Sequence, residues 1–218
     1  MYGHFAESEK KDGLPPAGEA KVALAAYSLL GVDAGWLSPK ADRWFRTGAG
    51  GIPGGFTLVG AKTVSRVIPT PAGDIGLVFF PQAATPGKAP SQEQEQAALA
   101  AGKALRKRCA LVLGVSPWGY MGERNFLPKA IGVYGVILGG GEGVGFGFAV
   151  PADAKEILWL RPDSQGRAIN RLDLLTLPKQ GEALRWTKGN TFEADLEFLD
   201  DAVPSDPAMA TIVGKPSE

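Results

Sequence analysis

Apolar positions recur at helical spacing from Ala17 to Leu30. Ala20, Ala23, Leu24, Tyr27 and Leu30 share one face there, and Gly31 supplies a stop. The period then breaks: residues 46–60 (RTGAGGIPGGFTLVG) read as an irregular loop. Two short strands are predicted at 63–68 and 75–80, around the turn PTPAGD. Beyond a Pro/Ala loop at 81–90, Ser91 and Gln94 stand at capping-box spacing ahead of the apolar face Ala98, Ala101 and Leu105. The pattern predicts a helix over 91–108, with the basic run RKR at its C-terminus, where the helix dipole favours cations. CALVLGV (109–115) is an unbroken apolar run of buried-strand length. Strand, helix and strand in that order predict a βαβ unit with parallel strands.

A short helix is expected at 123–129, followed by the apolar run 132–138 and a glycine-rich loop, GGGEGVGFG, at 139–147. Segments 156–162, 169–178 and 191–199 read as three strands. The last alternates Phe192, Ala194, Leu196 and Phe198 on one side, as a half-exposed strand does. Residues 206–213 predict a terminal helix. There is no internal repeat and no composition break, so the expectation is one α/β domain over 1–218.

Glycine and proline number 30 and 17, against roughly 26 for the pair at average usage; the excess points to many tight turns. Lys plus Arg and Asp plus Glu both count 23, leaving no net charge. That argues against a general nucleic-acid binder or a polybasic membrane-surface protein. No apolar run reaches the length of a membrane span, and the first residues carry no signal-peptide pattern. The one cysteine, Cys109, excludes an internal disulfide framework. The one histidine, His4, excludes a site built from several imidazoles. His4 lies upstream of every candidate serine and near the chain start, so a Ser-His-Asp triad has no support. Neither G-x-G-x-x-G nor G-x-x-x-x-G-K-[ST] occurs, so dinucleotide and P-loop signatures are absent.

Ligands of open α/β sheets sit at the carboxyl ends of the strands. Two loops are predicted there: SPWGYMGER (116–124) and GGGEGVGFG (139–147). Ser116, Trp118, Arg124, Gly140, Gly141, Glu142 and Gly143 are therefore candidate ligand-binding residues, with Tyr120 and Glu123 beside them. Trp118 offers a stacking face, Arg124 a cation, and the N–H groups of 140–143 a nest for an anion. The competing structural reading is that the glycines make turns and the aromatics plug the sheet end. Cys109 reads as a packed, inert thiol, and Glu93, Glu95, Asp200 and Asp201 as solvated charges.

Five segments together resemble calcineurin-like metallophosphoesterases of the 5′-nucleotidase type. AYSLLGVDAGWLSPKAD (26–42) is similar to that family's "LGYDAVTLGNHEFD", ALVLGVSPWG (110–119) to "LVALSHLG", and GVYGVILGGGEG (132–143) to "IDVIIGGHSH". DSQGRAINRLDL (163–174) resembles "YGRYLGRLDL", and DDAVPSDPAMATIV (200–213) resembles the family's exit helix. Their order and approximate spacing agree over most of 21–213. The resemblance implies a mixed-sheet αββα sandwich lacking its first strands, which precede Met1.

Carried over residue by residue, the metal ligands are gone. Pro39 and Lys40 stand for the Asn-His pair, Pro117 for the His of "SHLG", and Gly141 and Gly143 for the two His of "GGHSH". A two-metal phosphoesterase needs carboxylate and imidazole donors to hold its ions and activate water. The expectation is thus a binding or structural module with no catalytic residue, no metal and no cofactor. Its crevice would join Lys40 and Arg43 to the two loops and take a small anionic ligand. The alternative is a metal-independent or atypical hydrolase of a small phosphorylated or otherwise anionic substrate, using Glu123, Glu142 or Asp42. A third is an oligomerising component with a filled crevice. Missing first strands would leave a sheet edge open and favour a homodimer. The absent export signal points to the cytoplasm and the resemblance to export, so compartment stays open.

Overall fold

The computed structural model describes residues 16–83, 89–143, 145–152, 156–162, 168–199 and 203–214; His4, Asp200 and Asp201 lie outside them. In chain order the first elements are α1 (Ala17–Leu30), β1 (Gly35–Leu37), α2 (Pro39–Ala49), β2 (Phe56–Leu58), β3 (Val64–Ile68) and β4 (Ile75–Phe79). Then come α3 (Gln92–Arg106), β5 (Leu111–Val115), α4 (Gly119–Ala130), β6 (Val136–Leu138) and β7 (Phe146–Ala152). The chain continues through β8 (Ile157–Arg161), β9 (Ala168–Leu174), β10 (Phe192–Phe198) and α5 (Pro207–Val213). The class is α/β with mixed sheets. The described residues fall into two compact units, one within 1–60 and 201–218 and the other within 61–200.

In the first unit α1, α2 and the parallel pair β1–β2 enclose a small core of Ala20, Tyr27, Leu37, Ala41, Trp44, Phe45 and Phe56. Tyr27 and Phe56 meet edge to face at 4.9 Å, the geometry aromatic quadrupoles favour. Helix α2 and strand β2 correct the predicted loop at 46–60. Ser38 starts the helix by accepting the Ala41 N–H at 3.1 Å, with Pro39 in the first turn.

The second unit carries a six-stranded sheet in the order β3-β4-β5-β6-β8-β7. Strands β4, β5, β6 and β8 run parallel, and β3 and β7 close the two edges antiparallel. The predicted βαβ unit is present, with Ile75 paired to Leu111 and Phe79 to Val115. Alternation along the central strands sorts their side chains between two cores. Val112, Ile137, Ile157 and Trp159 face α3 and α4, with Phe80, Phe126 and Tyr134. Leu111, Val136, Leu158 and Leu160 face the opposite way, onto Leu184, Trp186, Phe192 and Ala194. The antiparallel ribbon β9–β10 belongs to that second layer, pairing Phe192 with Leu174 and Ala194 with Leu172. Helices thus cover one face of the sheet and the ribbon region covers the other.

Helix α3 begins as its spacing predicts: Ser91 Oγ accepts the Gln94 N–H at 3.2 Å, and the Gln94 side chain accepts the Ser91 N–H at 3.0 Å. Ser91→Ala removes one half of this exchange, and its expected cost is about 1 kcal/mol. Chemical denaturation checks the value; an unchanged midpoint would show that the cap contributes nothing.

Candidate functional site

Because β4, β5, β6 and β8 are parallel, their carboxyl ends gather at one end of the second unit's sheet. Side chains at 157, 159 and 161 of β8 alternate toward the helices, so Arg161 ends a row begun by Ile157 and Trp159. Glu123, in the second turn of α4, meets it there. Both are enclosed: Glu123 is 0% and Arg161 2% exposed. A charge so placed is tolerable only when its partners are complete.

They are extensive. Glu123 Oε2 accepts from Arg161 Nη1 and, at 2.9 Å, from the Trp159 indole Nε1. Its Oε1 accepts the Gly140 N–H at 2.9 Å. Arg161 Nη1 also donates to Gly140 O, and Nη2 to Gly141 O and Glu142 O, each at 3.1 Å. A guanidinium has a planar fork of donors and no acceptor, and here it is held by one carboxylate and three consecutive carbonyls. Tyr120 stacks on Trp159 with ring centroids 5.3 Å apart. Burial pushes the Glu123 carboxyl above the usual glutamate range, while the Arg161 charge, the Gly140 N–H and the Trp159 indole pull it back.

The same loop starts α4. Gly119 N–H donates to Gly140 O and Tyr120 N–H to Glu142 O, both at 2.9 Å. Helix N-termini leave backbone donors unsatisfied, and Trp118 at the cap position provides no side-chain acceptor. Carbonyls 140 and 142 serve instead, each bridging a helix amide and the guanidinium. This moves the helix start from the predicted 123 to 119. The predicted loop 139–147 is shorter as well, since β7 begins at Phe146. Gly139 is required by the crowding: a Cβ there would overlap Glu123 Oε2 and lie 2.8 Å from Arg161 Cγ.

The remaining predicted residues divide clearly. Ser116 is fully buried and its Oγ accepts the Trp118 N–H at 3.2 Å. Trp118 is 4% exposed; its ring lies 4.6 Å from Phe80 and 5.1 Å from Phe126, and its indole donates to Pro81 O at 2.7 Å. It therefore offers no open stacking face and plugs the sheet end. Gly141, Glu142 and Gly143 are exposed in the loop, and Arg124 is exposed on α4. The Gly140 N–H, assigned to an anion nest from sequence, is committed to Glu123. Lys40 and Arg43 are exposed on α2 of the first unit, whereas the two loops belong to the second. Cys109 is buried, and burial pushes its thiol up.

Sequence reasoning overlooked Arg161. Its signal was present: a lone cation at the end of the apolar run ILWL, in register with Trp159. Among the described residues no group of three or more His, Cys, Asp and Glu is placed to hold a metal ion. No described helix is long and apolar enough to cross a membrane.

No family model matches the chain. No curated protein matches it either. Among solved structures, a hypothetical protein from Thermus thermophilus is similar over 67% of this chain and 71% of its own, at 11% identity and a TM-score of 0.38. A likeness of that size carries no argument about fold or function.

Proposed function

We propose that this chain is a non-catalytic, metallophosphoesterase-like module whose former reaction cleft has become a structural closure. The observation that carries this reading is the Glu123–Arg161 pair wrapped by the carbonyls of 140–142. By resemblance, that loop is the one from which two histidine ligands have been lost, at Gly141 and Gly143. Its carbonyls now surround a cation supplied by the chain itself. The order of the five similar segments supports the same reading, as do the βαβ unit and the helix-covered parallel strands.

Catalysis needs an acid, base or nucleophile that can reach a substrate. Glu123 is enclosed and accepts three hydrogen bonds, and Ser116 is buried with no imidazole in the described chain to activate it. At the sheet end an anion-hydrolysing alternative is therefore left with the exposed Glu142 of the loop, together with Arg124 on α4, and without Glu123 or Ser116. Any small anionic ligand would meet the exposed rim at Arg124 and residues 141–143.

The test is elemental analysis of the purified protein, followed by phosphoester turnover with manganese, zinc or magnesium added. The expected result is substoichiometric metal and no turnover above the blank. One bound transition-metal ion per chain, or metal-dependent hydrolysis, would overturn the proposal.

A further inference from the structure

We infer that Glu123 and the loop 139–142 form a binding site for a guanidinium-type cation, and that Arg161 is its tethered occupant. The inference deepens the preceding reading, resting on it for the site's closed, non-catalytic character, and assigns that site a ligand chemistry opposite to the anion expected from sequence.

The donor–acceptor pattern is the argument. Four protein oxygens, the Glu123 carboxylate Oε2 and the carbonyls of Gly140, Gly141 and Glu142, receive the two terminal nitrogens of one planar group. Oxygen acceptors that converge on one enclosed point select a cation, and their division between two nitrogens selects a fork over a spherical ion. Three of the four acceptors have supports besides Arg161. Gly140 O and Glu142 O are fixed by the first amides of α4, and Glu123 by Gly140 N–H and the Trp159 indole. A site whose walls have their own supports persists when its occupant is cut away. Truncating Arg161 should leave a cavity with a buried negative charge at its end.

Filling the site from solution tests this. In the full chain, Arg161→Ala should melt well below the wild type. Millimolar guanidinium chloride should raise the variant's Tm, by about 3 °C at ten times its dissociation constant, while the wild type stays flat or falls. Sodium chloride at equal ionic strength and urea at equal concentration should not reproduce the rise. Adding Glu123→Gln to the variant should abolish it. A folded Arg161→Ala with no guanidinium-specific rise, or one matched by sodium chloride, overturns the inference.

A second measurement uses the wild type and covers the case in which Arg161→Ala does not fold. NMR of the unmodified protein should show Arg161 terminal N–H protons protected from solvent exchange and resolved from one another. Rapidly exchanging, averaged signals would refute the site. Failure of either experiment leaves the metal and turnover assays unaffected, so the two readings fail separately.

Discussion

Glu123→Leu should be the most damaging single replacement of a charged residue in the second unit, costing about 3–5 kcal/mol and lowering Tm by roughly 10–15 °C. The cause is the remaining Arg161. At 2% exposure it cannot recover hydration, and the dipoles of the loop carbonyls do not replace the carboxylate charge taken from beside it. Removing both charges together is a different case. Glu123→Leu with Arg161→Met trades the pair for apolar volume and should regain most of the loss, since buried ion pairs seldom outperform well-packed hydrophobic residues. Urea denaturation of wild type, both single variants and the double variant gives the coupling energy. If the double variant is as unstable as the sum of the singles, the two charges are independent and the network described here is wrong. A Glu123→Leu protein with wild-type Tm would be equally fatal.

The second large effect is expected at Phe80. Its ring is fully buried beneath the closure, 4.6 Å from Trp118, 5.2 Å from Phe126 and 5.4 Å from Tyr134. Phe80→Ala removes the centre of this cluster and should cost about 3–5 kcal/mol, transfer and cavity terms together. It should also loosen Trp118, which starts α4. Strand β5 has adapted to the ring: a Cβ at Gly114 would approach Phe80 Cζ to 2.7 Å. Gly114→Ala alone should therefore destabilise by overpacking, about 1–3 kcal/mol. The two changes should compensate in part, since the cavity left by one admits the methyl of the other. A double variant measurably more stable than the sum of the singles supports direct packing. Strict additivity would argue that Phe80 and Gly114 do not meet.

Both predictions concern one end of one sheet. The helices α3 and α4, the aromatic cluster and the ion pair form a continuous layer over the parallel strands. In it, groups that face solvent or ligand in an open α/β site face each other. Ser116, Trp118 and Glu123 all sit where a sheet of this kind places chemistry, and all three are buried with hydrogen-bond partners.

How far the chain disclosed this beforehand varies with the range of the interactions concerned. Helix α1, helix α3 with its capping box, and the strands around 64–79 and 111–115 were legible because their signals are local, whereas the β10 alternation holds at Phe192 and Ala194 and fails at Phe198, which is 61% exposed. Periodicity and a reciprocal cap three residues apart need no partner from elsewhere. Helix α2 was readable from Ser38 and Pro39 but was lost under the glycines that follow it. The start of α4 was not readable at all. Its first amides are satisfied by the carbonyls of Gly140 and Glu142, far along the chain, and Trp118 carries no capping oxygen.

The candidate site shows the same divide more sharply. Composition alone ruled out imidazole cages and thiol clusters, since one histidine and one cysteine cannot build them. The parallel βαβ order also brought loops 116–124 and 139–147 to a shared end. What neither could yield was the direction of the polar groups. A glycine-rich stretch read in isolation suggests a nest of N–H donors, yet here its carbonyls turn inward. They do so because β7 reverses the chain and returns β8 parallel to β6, setting Arg161 beside a carboxylate 38 residues earlier. Local patterns specify which segments become helix or strand; which charges end up buried together depends on strand order, and that is settled only when the sheet closes.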